Sequence, residues 1–339
     1  MSLKRNNRRL VVSIIIPIYN RYEELKKLLH SIYTHCKESN YETIVVDDYS
    51  EVDFQKLKEV YGIKLIRLKK NSGPSVARNI GASNATGDLL LFLDSDVVVD
   101  FDVVSYCEKK HLENPQLVSI FGIYKKESIN KGFIPEYKAL FDHYVFLGKD
   151  GEFTAIFNTA SGTIKKEVFK EFAGFAEDYK NADVEDIEFG YRIVKKYPQG
   201  IQYDLGFQVY HHFPYLNTLL KNYYRRTYEW ILLLKKRKKM DSVCTSSNEM
   251  VKRFLSTCNV LAIIAAAGSH KWYLILFSIL PWLAAMSDFM GYLLKERGCW
   301  FLLKSVAVYH LESLVISIAG MHSLFTLISN KMKVCLRMG

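Results

Sequence analysis

Two carboxylates one residue apart follow a continuous apolar run, and they are the residues of this chain best suited to chemistry. The run Leu89–Leu93 is typical of a strand buried on both faces, and Asp94 and Asp96 come directly after it. Side chains two positions apart in an extended segment point the same way, so both carboxylates can converge on one point. The alternative for this stretch is an ordinary surface turn, because aspartate and serine are common in turns. Paired carboxylates repel each other unless a cation lies between them, and Mg²⁺ or Mn²⁺ shared with ligand phosphates suits such oxygen ligands.

The elements that would position these carboxylates alternate between strands and short helices. Apolar runs at Val11–Pro17, Thr43–Val46 and Ile63–Leu68 predict strands, and Glu23–His35 has the apolar spacing of a helix. This alternation predicts an α/β fold with a doubly wound, mostly parallel sheet and helices on both faces. Ligands bind at the carboxyl ends of such strands. We therefore expect one crevice there, lined by the polar residues of three strand ends: Asn20, Asp47, Asp48, Asp94 and Asp96.

The composition indicates a soluble part and an apolar part. The 339 residues are 49% hydrophobic yet 24% charged, with a formal net charge of +10. Basic residues cluster between Lys4 and Arg9, and again at Lys235–Lys239, directly before the apolar C-terminal region. This placement favours anionic phospholipid headgroups over nucleic acid as the partner. The six cysteines have no paired spacing, which indicates reduced thiols in a protein that faces the cytoplasm.

The C-terminal part has the pattern of a membrane-associated region. Residues 216–252 predict a basic amphipathic helix with aromatic side chains, followed by a connector. Residues 253–339 contain three apolar stretches, Phe254–His270, Trp272–Leu294 and Ser305–Asn330. Basic residues flank all three stretches. If each stretch crosses the membrane completely, these basic residues cannot all lie on the cytoplasmic side. We expect two spans and one in-plane or re-entrant segment.

Six short motifs occur in a fixed order along the chain: Ser13–Asn20, Ile44–Ser50, Asn71–Asn79, Leu91–Asp96, Ala173–Phe175 and Glu185–Arg192. Their order and spacing resemble those of glycosyltransferase family 2, whose members have the GT-A fold. The resemblance covers residues 11–215 and implies a nucleotide-sugar glycosyltransferase domain over that range. One position departs from the family pattern, because Tyr49 stands where glycine is usual. We expect a slightly tighter turn at Tyr49 and no loss of function.

The resemblance implies that the crevice binds a nucleotide sugar. Pro17 and Tyr19 would pack against the base, and Asp48 would accept a hydrogen bond from its imide, which favours a UDP-sugar. Arg78 would lie near the diphosphate, where a guanidinium can bind two oxygens at once. The nucleotide-sugar site would be completed by Gly73, Asp94, Ser95 and Asp96.

The resemblance also implies a divalent metal ion, Mg²⁺ or Mn²⁺. Asp96 would bind it directly, and Asp94 would contact the ribose or the metal. The family has a histidine after a short strand in the region of Val209–Pro214. His211 aligns best with that histidine, and His212 is the alternative.

Glu185 and Asp186 open a predicted helix after a polar loop. The resemblance makes Asp186 the catalytic base, which removes the proton from an acceptor hydroxyl as it attacks the anomeric carbon in a single displacement with inversion. Glu185 would orient the site or the acceptor. A helix N-terminus favours carboxylates on dipole grounds alone, which is the structural alternative for both residues.

The activity implied by these features is transfer of a sugar to a hydroxyl of a lipid-linked glycan at the cytoplasmic face of a membrane. Arg225 and Arg226 on the predicted amphipathic helix would bind the acceptor or its lipid phosphate. The chain then divides into a basic tail (1–10), the glycosyltransferase domain (11–215), the amphipathic helix with its connector (216–252) and membrane-associated helices (253–339).

Two alternatives remain at this stage. A polyprenyl-phosphate sugar synthase would use the lipid phosphate itself as acceptor, although the surroundings of Asp94–Asp96 lack the Asp-Ala-Asp pattern typical of that group. A non-catalytic nucleotide-binding membrane module would bind the donor without turnover. A processive polysaccharide synthase is disfavoured, because the segment Arg225–Trp230 does not supply the Gln-x-x-Arg-Trp motif.

Overall fold

The protein is described by a computed structural model that covers residues 10–179, 183–237 and 247–338. The chain clusters into two compact units. The sheet unit comprises Met1–Ile129 and Phe146–His212, and the helical unit comprises Asn130–Val145 and Phe213–Gly339. Apart from Leu10, the predicted basic tail lies outside the described residues.

A single mixed sheet runs through the sheet unit. Its strands, numbered in chain order, are β1 (Val12–Ile18), β2 (Tyr41–Asp47), β3 (Lys64–Arg67), β4 (Leu89–Leu93), β5 (Val97–Val98), β6 (Ser119–Ser128), β7 (Ser161–Lys165) and β8 (Ile201–His211). They are hydrogen-bonded in the order β3-β2-β1-β4-β7-β6-β8-β5. Parallel pairs join β1 to β2 and β4, β2 to β3, and β6 to β8, whereas β7 is antiparallel to β4 and β6, and β5 is antiparallel to β8. The predicted mostly parallel sheet is confirmed.

Helices cover both faces of the parallel half of this sheet. The helices of the sheet unit are α1 (Tyr22–His35), α2 (Gln55–Tyr61), α3 (Pro74–Ser83), α4 (Val103–Glu113), α6 (Lys166–Glu171) and α7 (Glu185–Lys196). Ile14 and Ile16 on β1 share one apolar cluster with Leu25 and Leu28 of α1. The intervening Ile15 points to the other face, because side chains alternate along a strand. There α3 packs so closely that a Cβ on Gly81 would lie 2.5 Å from Ile15 Cγ2.

The helical unit consists of α5 (Phe133–Phe146), α8 (Leu216–Arg237), α9 (Ser247–Ser269) and α10 (Tyr273–Met338). Helix α10 contains a break at Gly298, whose φ of 81° and ψ of 178° are not helical. By length and composition, two helices in the described part could cross a membrane, Asn248–Ser269 and Tyr273–Ser329. The second and third apolar stretches of the sequence therefore lie in one long helix, on either side of Gly298.

Helix α5 lies in sequence between β6 and β7, yet it belongs to the helical unit. Its residues Tyr137 and Leu140 pack in one buried cluster with Trp282, Phe289 and Tyr309 of α10. The sequence-based division had assigned this segment to the glycosyltransferase domain. Apolar spacing predicts that a helix buries one face, but it does not identify the cluster into which that face packs.

Candidate active site

The carboxyl ends of β1, β2 and β4 meet at one edge of the sheet, because the three strands are adjacent and parallel. The residues that follow them form one group of polar side chains. Tyr19 is 47% exposed at the end of β1, Pro17 is half-buried, and Ser95 is buried after β4. The strand ends therefore bring an exposed aromatic ring and several carboxylates to one edge of the sheet.

Asp48 organises the loop that leads into α3. Its two carboxylate oxygens accept hydrogen bonds from the backbone amides of Ser72 (2.7 Å) and Gly73 (2.8 Å), and its side chain is buried. Gly73 has a φ of 91°, a conformation that glycine adopts without steric cost. A carboxylate oxygen can accept more than one hydrogen bond. Asp48 can therefore hold this loop and still accept a donor from a ligand, which is the role predicted for it.

The neighbouring Asp47 closes the turn after β2. Its Oδ1 accepts the Ser50 amide at 2.8 Å, and its Oδ2 lies 3.3 Å from Arg67 Nη1. Tyr49 adopts a left-handed φ of 68°, which is why glycine suits this position. The Arg67 guanidinium lies over the Tyr49 ring at 5.7 Å. Contacts of the Asp47, Tyr49 and Arg67 side chains therefore stabilise a left-handed backbone conformation that glycine would adopt without steric cost.

Arg78 is a buried bridge between two carboxylates. Its Nη2 donates to Asp94 Oδ1 at 2.7 Å and its Nη1 to Glu185 Oε1 at 3.0 Å, while its side chain is only 2% exposed. Burial alone would lower the pKa of Arg78, but the charges of Asp94 and Glu185 raise it above the ordinary value, so the guanidinium stays charged. The resemblance had predicted Arg78 at the diphosphate. In the structure both terminal nitrogens donate to carboxylates, and a role of Arg78 at the diphosphate stays a prediction.

Asp96 has a basic partner on each carboxylate oxygen. Arg21 Nη1 forms an ion pair with Oδ2, and His211 Nε2 lies 3.4 Å from Oδ1. Burial would raise the pKa of Asp96, but the charges and hydrogen bonds of His211 and Arg21 hold it well below its ordinary value. Asp96 is therefore ionised at neutral pH, as a metal ligand must be.

Strand pairing explains why His211 reaches Asp96. The short strand β5 begins immediately after Asp96 and pairs with the end of β8, with Val97 opposite His211. The His211 ring also packs against Tyr124, with ring centroids 4.6 Å apart. His212 contributes its backbone amide, which donates to the Asp96 carbonyl at 2.9 Å. The structure thus brings the side chain of His211, and the main chain of His212, to Asp96.

The donor set at Asp96 fits a hard divalent cation that shares its coordination with a ligand. Asp96 and His211 offer a carboxylate oxygen and an imidazole nitrogen 3.4 Å apart. Carboxylates suit Mg²⁺ and Mn²⁺, and such ions commonly take further ligands from substrate phosphates and water. Within the described ranges no group of three or more His, Cys, Asp and Glu side chains could hold a metal.

Glu185 and Asp186 begin helix α7, and their environments differ. Glu185 is buried, with Oε1 on Arg78 and Oε2 accepting the Asp183 amide at 2.8 Å. Asp186 is only half-buried, and its Oδ1 accepts the Ile187 amide. Glu185 is thus fixed by its partners, whereas Asp186 is the more accessible carboxylate of the two. The roles of orienting acid for Glu185 and catalytic base for Asp186 stay predictions.

Sequence reasoning did not single out Arg21, Asn79 or Arg192 as site residues. Asn79 on α3 exchanges two hydrogen bonds of 2.9 Å with the backbone of Phe175, and Arg192 on α7 donates to the carbonyls of Phe172 and Gly174. These bonds fix the loop between α6 and α7 to the helices that carry Arg78 and Glu185. Asn79 and Arg192 both lie in the motifs quoted above, so their positions were available as a signal. Arg21 lay next to a motif and gave no signal of its own.

Arg225 and Arg226, predicted to contact the acceptor, lie on α8 of the helical unit. Arg226 is exposed and Arg225 is half-buried. Their role in binding the acceptor stays a prediction.

Comparisons with known proteins identify the class. The family model described as glycosyl transferase family 2 matches residues 13–172. The uncharacterized glycosyltransferase YwdF of Bacillus subtilis is 33% identical over 196 residues, which are 55% of this chain and 69% of that protein. An uncharacterized glycosyltransferase of Haemophilus influenzae is 32% identical over 197 residues, but the match spans only 63% of its length and 55% of this chain. The chain belongs to glycosyltransferase family 2.

A solved structure extends the similarity to most of the chain. The mannosyltransferase PcManGT from Pyrobaculum calidifontis, determined in complex with GDP-Man and Mn²⁺, superposes with a TM-score of 0.58. The match covers 94% of this chain and 88% of that one at 17% sequence identity. At this identity the likeness concerns the fold. Together with the sheet described above, it shows that the predicted GT-A fold is correct.

Proposed function

We propose that this glycosyltransferase is a metal-dependent, inverting enzyme that transfers a sugar from a nucleotide-diphosphate sugar to a hydroxyl of a lipid-linked glycan. The observation that carries the proposal is the connected set of charged side chains at the strand ends. Asp94, Glu185 and Arg78 form one hydrogen-bonded group, and Asp96 with His211 forms the neighbouring one. Each pair joins residues that are distant in sequence, which is the arrangement expected of a functional site built on a rigid scaffold.

The donor would bind across the strand ends. Tyr19 offers an exposed ring for the base, Asp48 offers acceptor oxygens, and the Ser72–Gly73 backbone is held beside it. Asp96 and His211 would hold Mg²⁺ or Mn²⁺ together with the diphosphate. When bound, the metal ion supplies Lewis-acid stabilisation of the negative charge on the leaving diphosphate. The Mn²⁺ of the structural neighbour supports the use of a divalent ion. Because that neighbour binds GDP-Man, GDP-sugars are candidate donors in addition to the UDP-sugars that Asp48 favours.

The chemical step would use Asp186 as general base. A sugar hydroxyl is a poor nucleophile at neutral pH, so its proton must be removed as it attacks. The acceptor oxygen forms a bond to the anomeric carbon, the bond from that carbon to the diphosphate oxygen breaks, and the acceptor proton passes to the Asp186 carboxylate. One displacement inverts the configuration at the anomeric carbon.

Arg78 would position both halves of this site. It connects Asp94, at the end of β4, to Glu185, one residue before the proposed base. A buried charge with two hydrogen-bonded partners restricts the geometry of all three groups. Arg78 is therefore proposed as a positioning residue and not as a direct ligand of the diphosphate.

The acceptor is proposed to be lipid-linked and presented at the cytoplasmic face of a membrane. Helices α9 and α10 have the length and apolar composition of membrane-crossing segments. The exposed Arg226 and the half-buried Arg225 on α8 would offer cations to a lipid phosphate or to anionic headgroups.

The decisive experiment is a donor panel of UDP-, GDP- and TDP-sugars, assayed with a membrane lipid extract in the presence of Mg²⁺ or Mn²⁺. We expect transfer from one donor class into the lipid fraction, with loss of transfer in EDTA. NMR of the product should show inversion at the anomeric carbon. Transfer that persists in EDTA, or a product with retained configuration, would contradict the proposal.

A second candidate is transfer to the phosphate of the lipid carrier itself, which the two arginines of α8 favour because they could bind that phosphate. A phosphate acceptor is already an anion and needs no general base. Asp186→Asn would then leave the rate nearly normal, whereas a hydroxyl acceptor requires a large loss. Donor binding without turnover throughout the panel would instead support a non-catalytic nucleotide-binding module.

A further inference from the structure

Arg21 is a cation at the proposed donor site that the preceding mechanism does not use. Its Nη1 forms an ion pair with Asp96 Oδ2, the oxygen that His211 does not approach. The Arg21 side chain is 52% exposed, whereas that of Asp96 is 13% exposed. A solvent-accessible guanidinium therefore lies on the carboxylate proposed to bind the metal ion.

The backbone fixes Arg21 at this place. The preceding Asn20 has a left-handed φ of 58°, which turns the chain between β1 and α1. The Asn20 amide donates to Ser50 Oγ at 2.9 Å, and its Oδ1 accepts the Glu51 amide at 2.7 Å. These hydrogen bonds connect the turn before Arg21 to the turn after β2. The backbone of Arg21 is therefore held beside the strand ends.

A divalent cation and Arg21 would compete for one carboxylate. A cation on Asp96 needs an oxygen lone pair, and two positive groups at one carboxylate repel each other. An exposed ion pair contributes little to stability, so the guanidinium can leave at small cost. A guanidinium also binds phosphate oxygens bidentately, and the donor diphosphate would enter beside Asp96.

We propose that Arg21 is a second cation of the donor site, which exchanges Asp96 for the diphosphate of the donor when a metal ion binds. This inference rests on the proposed function. Arg21 would stabilise charge on the diphosphate from the side opposite His211. It would also weaken metal binding in the absence of nucleotide, so that the metal ion and the nucleotide bind cooperatively.

Arg67 illustrates the alternative, an arginine with a purely structural role at a strand end. It lies at the end of β3, pairs with the buried Asp47, donates to the Ser50 carbonyl at 2.6 Å and stacks on Tyr49. Asp47 also makes a bond within its own turn, to the Ser50 amide. By contrast, the partner of Arg21 is the proposed metal ligand.

The test measures two affinities of the full chain in detergent, for Arg21→Gln beside the wild type. Mn²⁺ alone is titrated by the EPR signal of the free ion, and UDP and GDP are titrated by calorimetry at saturating Mn²⁺. We expect Arg21→Gln to bind Mn²⁺ alone about fivefold more tightly, because an exposed ion pair no longer competes. The nucleotide that binds the wild type should bind about tenfold more weakly, because a charge-assisted hydrogen bond is lost.

The controls separate these effects from a general change of charge or fold. Lys27→Gln removes one charge from an exposed position on α1 and should change neither affinity. Arg21→Lys keeps the charge without the bidentate fork, so its Mn²⁺ affinity should stay near the wild-type value while nucleotide binding falls.

Opposite shifts of the two affinities are the signature of exchange. If both affinities fall, Arg21 only supports the site; if neither changes, its ion pair with Asp96 has no part in binding. Either result overturns the inference. If the wild type binds neither UDP nor GDP in a Mn²⁺-dependent way, the proposed function itself fails.

Discussion

The two units of this protein place their charged groups differently: at the strand ends in the sheet unit, and in the interior in the helical unit. In the sheet unit, strands such as Leu89–Leu93 are fully buried, and the charged groups gather at the strand ends beside the exposed Tyr19. In the helical unit, large apolar side chains face outward: Phe277 is 78% exposed and Trp300 is 72% exposed. Glu312, in contrast, is completely buried there.

The helical unit therefore encloses an ion pair within a largely apolar core and also exposes many apolar side chains. Arg253 Nη1 donates to Glu312 Oε2 at 2.9 Å, and the Tyr137 hydroxyl donates to the same oxygen at 3.1 Å. The Arg253 guanidinium lies 3.8 Å from the centre of the Tyr309 ring. Exposed apolar side chains around a buried ion pair suit helices surrounded by lipid, where polar side chains must find partners within the protein.

The comparison teaches that a buried ion pair has a different purpose in each unit. In the sheet unit the charged groups lie at the strand ends beside the exposed Tyr19, and we propose a chemical role for them. In the helical unit the ion pair joins α9 to α10 within the core, and we assign it to structure. Substitutions in each unit should distinguish these two roles.

Asp96→Ala should abolish turnover, a loss of about 10³-fold or more, because the metal ion loses its carboxylate ligand. Nucleotide binding in the presence of Mn²⁺ should weaken as well. Transfer assays and calorimetry measure the two effects, and EDTA treatment of the wild type should reproduce both. A variant with normal activity would show that Asp96 holds no essential metal ion.

Asp186→Asn should lower the rate of transfer to a hydroxyl acceptor by about 10²–10⁴-fold, because the amide keeps the shape and loses the basicity. Donor affinity should remain near the wild-type value, unlike that of Asp96→Ala. Single-turnover assays with the preferred donor measure this split. Glu185→Gln is the matched comparison. It alters the buried partner of Arg78, so it should lower stability in addition to activity.

Arg78→Gln and Arg253→Gln compare the two buried arginines directly. Each should lower the free energy of unfolding by about 3–5 kcal/mol, because each leaves a buried carboxylate without its cation. Only Arg78→Gln should also weaken nucleotide binding, because only it adjoins the strand-end crevice. Denaturation in detergent, followed by nucleotide titration of the folded fraction, measures both. Equal losses of nucleotide affinity in the two variants would remove the distinction between the units.

Membrane attachment should depend on apolar burial more than on charge. The full chain should stay in the membrane fraction in 1 M salt and should require detergent for release, because salt screens charges and leaves apolar contacts intact. Replacing Arg225 and Arg226 together by Gln should weaken binding to anionic vesicles by about 1 kcal/mol per charge at low salt. Release of the wild type by salt alone would contradict the assignment of α9 and α10.

The smallest effect concerns His111, a buried polar group of the sheet unit away from the crevice. Its Nε2 is 2.8 Å from Thr163 Oγ1, and burial, aided by the charge of Lys165, lowers its pKa from 6.5 to about 4. The unfolded chain takes up a proton below about pH 6.5 that the folded chain does not, so stability falls between about pH 6.5 and pH 4. His111→Gln should remove this dependence. We expect its melting temperature to fall about 2–4 °C less than that of the wild type between pH 7 and pH 5.

The parallel half of the sheet and the family could be predicted from the amino-acid sequence. Continuous apolar runs such as Ile14–Ile16 can be buried only between two layers of helices, so strands and helices had to alternate. The carboxylates at the ends of β2 and β4 were visible because polar residues interrupt those runs abruptly. The apolar composition after residue 253 also set the helical region apart.

Which charged groups contact each other could not be predicted before the chain was folded. The contacts between Arg78 and Glu185, and between Arg21 and Asp96, join residues far apart in sequence, and no local pattern encodes such pairs. The pairing of β5 with β8 likewise brings His211, and not His212, to Asp96 with its side chain. The membership of α5 in the helical unit likewise could not be predicted from local sequence. Local sequence specifies that a helix must bury an apolar face, but the partner of that face is chosen by the packing of the whole chain.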